Sequence, residues 1–428
     1  MSSSCLHRVP LTPPPYEPFF MKILHTADWH LGHQLHGHDR RFEHDAFLDW
    51  LADTIKRRDI DALLVAGDLF DTANPPASAW QQLYRFLARL RAEHPALEMV
   101  LIGGNHDSPS KLDAPHELLR AFDLHLVGSI SRDDEGRLET ERLLVPLRGK
   151  DGEVAAWCAA VPFLRSSDLR PDGLSEGQDR LIEGVRQIYE AVLSEGRARC
   201  HPDQALIAMG HAYLAAGQLS ELSERRVLGG NQHALPAELF AAADYTALGH
   251  LHLAQSPAEG VHYSGSPLPL SLAEANYNHQ VLEVTFEGGK LARLERIPVP
   301  RAVEMIRLPQ SGLDEALQAI EVLDLPTCPQ QAQPFLEVRL LLPKPEARIR
   351  ERVLAAIGDK PVRLARITTS YQGSGQGLAD GAGQRRLDEL SPTEVFRLCY
   401  QRQFDGEPEA ELVASFEEIL EQVKEANA

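Results

Sequence analysis

The chain has 428 residues, 43% of them hydrophobic and 25% charged, with a formal net charge of -19. That length accommodates two or three domains and a sizeable core, and no apolar run is long enough to predict a membrane-spanning helix. The negative balance excludes a generally basic nucleic-acid coat, but not a local site where divalent cations reverse the sign of the field.

The five cysteines (Cys5, Cys158, Cys200, Cys328 and Cys399) are scattered, odd in number and free of any C-x-x-C pair. They point to a reducing compartment, with neither a disulfide framework nor a zinc knuckle. Residues 1–20 contain Pro10 and Pro13-Pro14-Pro15 without a signal-peptide core, and read as a disordered extension. Met21 stands just before the first strand and is an alternative start of translation.

From Lys22 to about Phe286, short apolar runs alternate with amphipathic stretches, the pattern of an α/β layered domain. Ile23 to Ala27 reads as a strand leading into Asp28-Trp29-His30. Phe42, Phe47, Trp50, Leu51 and Ile55 then recur at helical spacing. Ala62 to Ala66 is a second strand ending in Gly67-Asp68. Trp80, Leu83, Tyr84, Leu87 and Leu90 mark the next helix, and Glu98 to Ile102 the third strand. Right-handed crossovers make these three strands parallel and bring their carboxyl ends to one edge. In the second half, 155–161, 205–209, 245–248 and 281–286 read as strands and 178–195 as a helix.

Past Val299 the register changes. Strand-like runs at 304–308, 335–342 and 362–369 enclose helical stretches at 313–322 and 346–357, predicting a small α+β domain over 301–372. A glycine-rich linker follows at 373–390. Ser391-Pro392-Thr393-Glu394 is a capping box that opens a helical tail over 391–428. Its second helix gathers Leu412, Val413, Phe416, Ile419, Leu420 and Val423 on one face.

Chemistry concentrates where strands end. Asp28-x-His30, Gly67-Asp68-Leu69-Phe70-Asp71, Gly104-Asn105-His106-Asp107, Gly210-His211 and Gly249-His250-x-His252 each close an apolar run with metal-competent side chains. Two carboxylates, one amide and four imidazoles suit a pair of divalent cations of intermediate hardness, such as Mn²⁺. Two such cations lie about 3.5–4 Å apart and need an anion between them. Asp68, after a glycine at a central strand end, is the candidate bridge.

This five-part pattern resembles the calcineurin-like metallophosphoesterase superfamily. The resemblance implies a layered α/β sandwich in which Asp28, His30, Asp68 and His252 hold one metal and Asp68, Asn105, His211 and His250 the other. It further implies a water between the metals, acidified to hydroxide, attacking phosphorus in line. His106 would then protonate the leaving oxygen or stabilise the transition state, with Asp71, or else Asp107, orienting its ring. Residues 22–32, 65–72 and 104–108 are similar to the SbcD family of bacterial break-repair nucleases. That likeness implies Mn²⁺ (or Mg²⁺) dependence, exonuclease action on duplex DNA and endonuclease action on hairpins. It also implies a homodimer in a heterotetramer, docking of an SbcC-like coiled-coil ATPase on the 391–424 helices, and a cytoplasmic, nucleoid-associated place in repair, recombination and replication. No G-x-x-x-x-G-K-[ST] loop occurs, so any ATP dependence comes from another chain. The alternatives are a stand-alone phosphoesterase for small diesters or monoesters, and a non-catalytic adaptor.

Other polar groups take plainer readings. His33, His36, His38 and His44 follow the first motif and read as loop and helix-start histidines close enough to the edge to meet substrate. Arg40 and Arg41 read as solvated charges near phosphate reach, and Ser108 and Ser110 as helix caps.

Overall fold

The computed structural model describes residues 20–171, 173, 179–215, 234–371, 392–404 and 406–426. The proline-rich extension before residue 20, the 373–390 linker and the Ser391 cap lie outside them; Phe20 itself already belongs to the first strand. The chain divides into two compact units. One runs to Arg301 without residues 36–38, and the other comprises 36–38 and everything from Ala302 onward.

The first unit is built on two six-stranded mixed sheets. In one, β1 (Phe20–Thr26), β2 (Ala62–Ala66), β3 (Glu98–Ile102) and β4 (Leu124–Val127) run parallel. The other contains β5 (Leu144–Arg148), β6 (Val154–Ala160), β7 (Ala205–His211), β8 (Tyr245–Gly249), β9 (Gln255–Ala258) and β10 (Val261–Tyr263). There β6, β7, β8 and β10 run parallel to one another, while β5 and β9 pair antiparallel with β6 and β10 at the two edges. The hairpin β11 (Gln280–Glu287) and β12 (Lys290–Pro298) returns to the first sheet, with β11 antiparallel to β1.

Side-chain alternation along β2 explains the layering. Ala62, Leu64 and Ala66 point into the core shared by the two sheets, and Leu63 and Val65 into the core beneath the helices. Both faces are therefore buried, which is why β2 reads as an unbroken apolar run. Helices α1 (Arg41–Arg58) and α2 (Ala77–Glu93) cover the second core with Phe47, Leu51, Ile55, Leu83, Phe86 and Leu90. Helix α3 (Arg180–Arg199) packs on β6 and β7, and its first turn is capped by the Asp179 carboxylate, which accepts from the Leu181 and Ile182 N–H groups. A polar rivet crosses the sandwich: the His25 ring meets Tyr245 Oη at 2.9 Å and the Leu248 carbonyl at 3.2 Å. Burial pushes this imidazole down to about 3, so it is neutral.

In the second unit β13 (Met305–Arg307), β14 (Phe335–Leu342) and β15 (Arg363–Tyr371) run parallel, with helices α4 (Leu313–Glu321) and α5 (Ile349–Ile357) between them. The small α+β unit expected there is thus built as β-α-β-α-β around Leu313, Ile320, Leu336, Val338, Leu340 and Val353. Helices α6 (Pro392–Gln403) and α7 (Ala410–Ala426) pair through a Phe396–Phe416 stack at 4.4 Å, and Phe404 meets Tyr371 at the end of β15. His38 belongs to this unit, where its Nε2 contacts the Leu364 carbonyl at 3.1 Å.

Candidate metal centre

Five strands deliver polar side chains to one rim because their carboxyl ends coincide there. Asp28 and His30 follow β1, Asp68 follows β2, Asn105 and His106 follow β3, His211 ends β7, and His250 and His252 follow β8. Main-chain bonds stitch the first two loops together: Asp28 N–H to the Gly67 carbonyl, His30 N–H to that of Asp68, and Leu31 N–H to that of Leu69, at 2.9–3.0 Å. The backbone there is unusual. Asp28, His30, Asp68 and His250 are four of the eight non-glycine residues with positive φ among the described residues. Such conformations persist only where the surroundings over-determine them, and they gather at functional sites.

Glycine allows the close approach. Gly67 has φ +92°, and a side chain on it would run into the His211 ring. One on Gly104 would collide with the Asp68 carboxylate.

The predicted side chains come together. Ligand atoms of Asp28, His30 and His252 lie within 4.8 Å of one another, as do those of Asp28, Asp68 and His211, and those of His30, Asp71 and His106. Asn105 Oδ1 is 2.9 Å from His211 Nε2 and 3.0 Å from His250 Nδ1. Asp68 Oδ2 lies 3.5 Å from His30 Nε2 and 3.3 Å from His211 Nε2, while its Oδ1 accepts the His106 N–H at 2.9 Å. Asp28, His30, Asp68, His211, His250 and His252 are buried. Within this dense set, Asp28 Oδ2 and His30 Nε2 are buried without any hydrogen-bond partner. Buried orphans of this kind are costly in a protein without a ligand. The donor set, oxygens mixed with imidazoles, fits divalent cations.

The electrostatics agree. Burial alone would raise the Asp68 carboxyl, but His211, by charge and hydrogen bond, with His30 and His106 nearby, holds it well below the usual range. Burial raises Asp28 despite His211 and His252. Burial and then His211 push His250 down to about 3, which keeps it a neutral imidazole.

The supporting residues are arranged differently from the expectation. The Asp71 carboxylate meets His30 Nδ1 at 3.3 Å, and it is the Asp71 main-chain carbonyl that meets His106 Nδ1, at 2.7 Å. The two rings lie edge to face 4.8 Å apart, so one short loop serves both. Asp107 contacts neither of these rings through the bonds its carboxylate makes. It accepts from the Leu69, Phe70 and Gly104 N–H groups at 3.0, 2.9 and 2.8 Å, clamping the second loop to the third. Burial, and then the Asp68 charge, push it up to about 6 against those three bonds.

Sequence reasoning missed Glu274. Fully buried, its carboxylate braces His252 Nδ1 at 3.1 Å and accepts the Leu270 N–H at 2.8 Å. The one signal was Ser271-x-x-Glu274, which marks a helix start and says nothing of a metal site. Among the other histidines, His44 Nε2 bonds the Trp29 carbonyl at 2.9 Å, between the two first-loop residues. Arg40 is buried too, paired with Glu43 and bonded to the Pro269 carbonyl at 2.8 Å, so it is not a solvated charge.

Comparison with known proteins matches the same two regions. The family profile described as calcineurin-like phosphoesterase covers residues 21–254, and the one described as type 5 capsule protein repressor C-terminal domain covers 301–404. The SbcD component of the nuclease SbcCD of Rhodobacter capsulatus is 40% identical over 389 residues, spanning 89% of this chain and 94% of that protein. Its counterpart of the same name from Escherichia coli K12 is 32% identical over 384 residues, spanning 88% and 92%. That from Bacillus subtilis is 36% identical over 286 residues, spanning 65% and 69%. With the phosphoesterase fold and a metal-competent rim in place, this extent of identity makes the chain a member of the SbcD family of metal-dependent nucleases.

Proposed function

We propose that the chain is a Mn²⁺-dependent DNA exonuclease and endonuclease that hydrolyses phosphodiester bonds at this rim. In this reading it works with an SbcC-like coiled-coil ATPase on hairpins and break ends. The observation that carries the proposal is the gathering of Asp28, His30, Asp68, Asn105, His211, His250 and His252, with two of their buried ligand atoms lacking any hydrogen bond. Asp28, His30, Asp68 and His252 would hold one cation and Asp68, Asn105, His211 and His250 the other, with Mg²⁺ the alternative to Mn²⁺. Bound there, the pair supplies an acidified water and neutralises charge on the phosphoryl oxygens.

The chain's own groups do the rest. The Asp71 carbonyl can only accept, so His106 Nδ1 carries the hydrogen and Nε2 is left to exchange a proton at the leaving oxygen. Asp71 and Glu274 fix the rings of His30 and His252 through Nδ1, leaving the other nitrogen for the cage. Asp107 keeps the Asp68 and Asn105 loops in register.

The relatives are named as one component of a nuclease called SbcCD, which supports an SbcC-like partner. The 391–424 helices are the proposed dock, and Ile419 on α7 is 59% exposed. A homodimer within a heterotetramer, acting in the cytoplasm at the nucleoid, completes the proposal. The test is Mn²⁺-dependent hairpin cleavage by the purified chain, with and without the ATPase and ATP. Cleavage is expected, and His106→Ala should abolish it while bound metal is retained. Hydrolysis of a small chromogenic diester, with no hairpin cleavage even beside the ATPase, would instead indicate a small-substrate phosphoesterase.

A further inference from the structure

The loop that carries Asn105 and His106 is tied to the second sheet by a side chain to which metal chemistry gives no part. After β6 the chain continues through Phe163 and Arg165, and there it meets the loop twice. Phe163 N–H donates to the Gly103 carbonyl at 2.8 Å. A guanidinium nitrogen of half-buried Arg165 donates to the Asp107 carbonyl at 2.9 Å and lies 3.5 Å from the Gly104 carbonyl. Those two carbonyls flank Asn105 and His106 in the chain. One cationic fork therefore spans the turn that presents both residues.

Arg165 is itself built in. Its main-chain N–H donates to the Asp168 carboxylate at 2.8 Å, its carbonyl accepts the Asp168 N–H at 2.9 Å, and its guanidinium lies 5.4 Å from the Phe163 ring. Charge-assisted bonds from a planar guanidinium are strong and directional, so this tie fixes the peptide groups it reaches. The other holds on His106 come from the second loop: Asp68 Oδ1 accepts its N–H at 2.9 Å, and the Asp71 carbonyl meets ring Nδ1 at 2.7 Å. Phe163 and Arg165 add holds from the opposite sheet.

We infer that Arg165 is a positioning residue: it sets the main chain around His106 so that ring Nε2 meets the oxygen that leaves phosphorus. The inference rests on the nuclease reading above and on the part given there to His106. As the bond from phosphorus to the leaving oxygen breaks, the attacking water supplies the new bond and Nε2 supplies the proton; the ring takes up another from solvent. A shift of about 1 Å is enough to cost about 100-fold in rate, so a residue that never touches substrate can govern this step.

The test uses the full chain at saturating Mn²⁺ and two hairpin DNAs that differ in one atom. One of them carries sulfur in place of the leaving oxygen at a mapped cleavage point, and a thiolate leaves without needing a proton. Arg165→Ala is expected to slow maximal cleavage of the oxygen substrate about 10- to 100-fold, up to the lower end of what one positioned acid contributes, and to raise the sulfur-to-oxygen rate ratio about tenfold. His106→Ala should raise that ratio at least as far. Arg165→Lys, which keeps a cationic donor for the Asp107 carbonyl, should bring it back toward the value of the unsubstituted chain. A ratio unmoved in Arg165→Ala overturns the inference, whether both rates fall by one factor or neither falls. The residue would then support only the fold or the metal cage, and the nuclease reading would stand. A ratio unmoved in His106→Ala overturns it too, because the proton then comes from elsewhere. If the unsubstituted chain cleaves neither substrate, the nuclease reading falls first and this inference with it.

Discussion

The two sheets of the nuclease unit bring different chemistry to one rim. The first supplies the oxygens, Asp28, Asp68 and Asn105, together with His30 and His106; the second supplies imidazoles alone, His211, His250 and His252. They also hold their groups by different means. First-sheet loops are sewn to one another by main-chain bonds and by the Asp107 carboxylate. Second-sheet histidines are held one at a time: His211 by ring Nδ1 on the Ala66 carbonyl at 2.9 Å, His252 by ring Nδ1 on Glu274, and His250 by its main-chain N–H, which donates to Asp28 Oδ1 at 2.9 Å. Two of those three braces come from the first sheet. The cage therefore exists only when the sandwich closes, and the apolar core between the sheets is a condition of catalysis as well as of stability.

The sharpest way to break this arrangement is at Asp68, which touches His30 and His106 on its own side and His211 across the seam. Asp68→Ala should lower hairpin cleavage by about 10³-fold or more, and bound Mn²⁺ should fall below two per chain. Mass spectrometry of the metal content with a cleavage assay checks this; two retained cations with near-normal cleavage would remove Asp68 from the shared position. Next comes the first sheet's own clamp. Asp107→Ala strands three buried N–H donors at about 1–3 kcal/mol each when unsatisfied. Urea unfolding should show a loss of about 3 kcal/mol or more, whereas Asp107→Asn, which keeps one acceptor, should lose less.

Bracing in the second sheet is milder to undo. Glu274→Gln keeps the shape but weakens the hold on His252, and should reduce Mn²⁺ affinity about 10- to 100-fold. Saturating Mn²⁺ should then restore the rate. A lowered rate that excess metal does not rescue would mean that Glu274 acts on the reaction itself.

How much of this was legible depends on where each residue's neighbours lie in the chain. The strand-end motifs stand out because an apolar run, a glycine and a polar group are adjacent in sequence, and the structure does bring those side chains together. Glu274 follows no strand, and its partner is 22 residues away on another element, so nothing local marks it. Asp71 and Asp107 were visible as carboxylates near His106, yet their targets depend on loop conformations with positive φ that periodicity does not encode. Among the strands, β9 and β10 are short, and β12 is largely exposed, so none presents a buried run to read. Arg40 looked solvated because, beyond the nearby Glu43 carboxylate, it also donates to the Pro269 carbonyl, which is 229 residues away.

The smallest effect should come from His44, and it separates stitching from bracing. His44 Nε2 bonds the Trp29 carbonyl at 2.9 Å, adding one tie to a loop that Gly67, Asp68 and Leu69 already hold by three main-chain bonds. The ring is buried, and burial, then Arg40, push its basicity down to about 3, so it is neutral and its contribution does not depend on charge. His44→Gln keeps a donor for that carbonyl and should cost less than about 1 kcal/mol, the net worth of one such bond. Cleavage at saturating Mn²⁺ should fall less than about threefold, because a redundant tie shifts the loop little. Thermal melting beside the cleavage rate decides it. An unchanged melt with a tenfold slower rate would mean that the first-sheet loop is held by single braces, as the second-sheet rings are, and the contrast between the two sheets would fail.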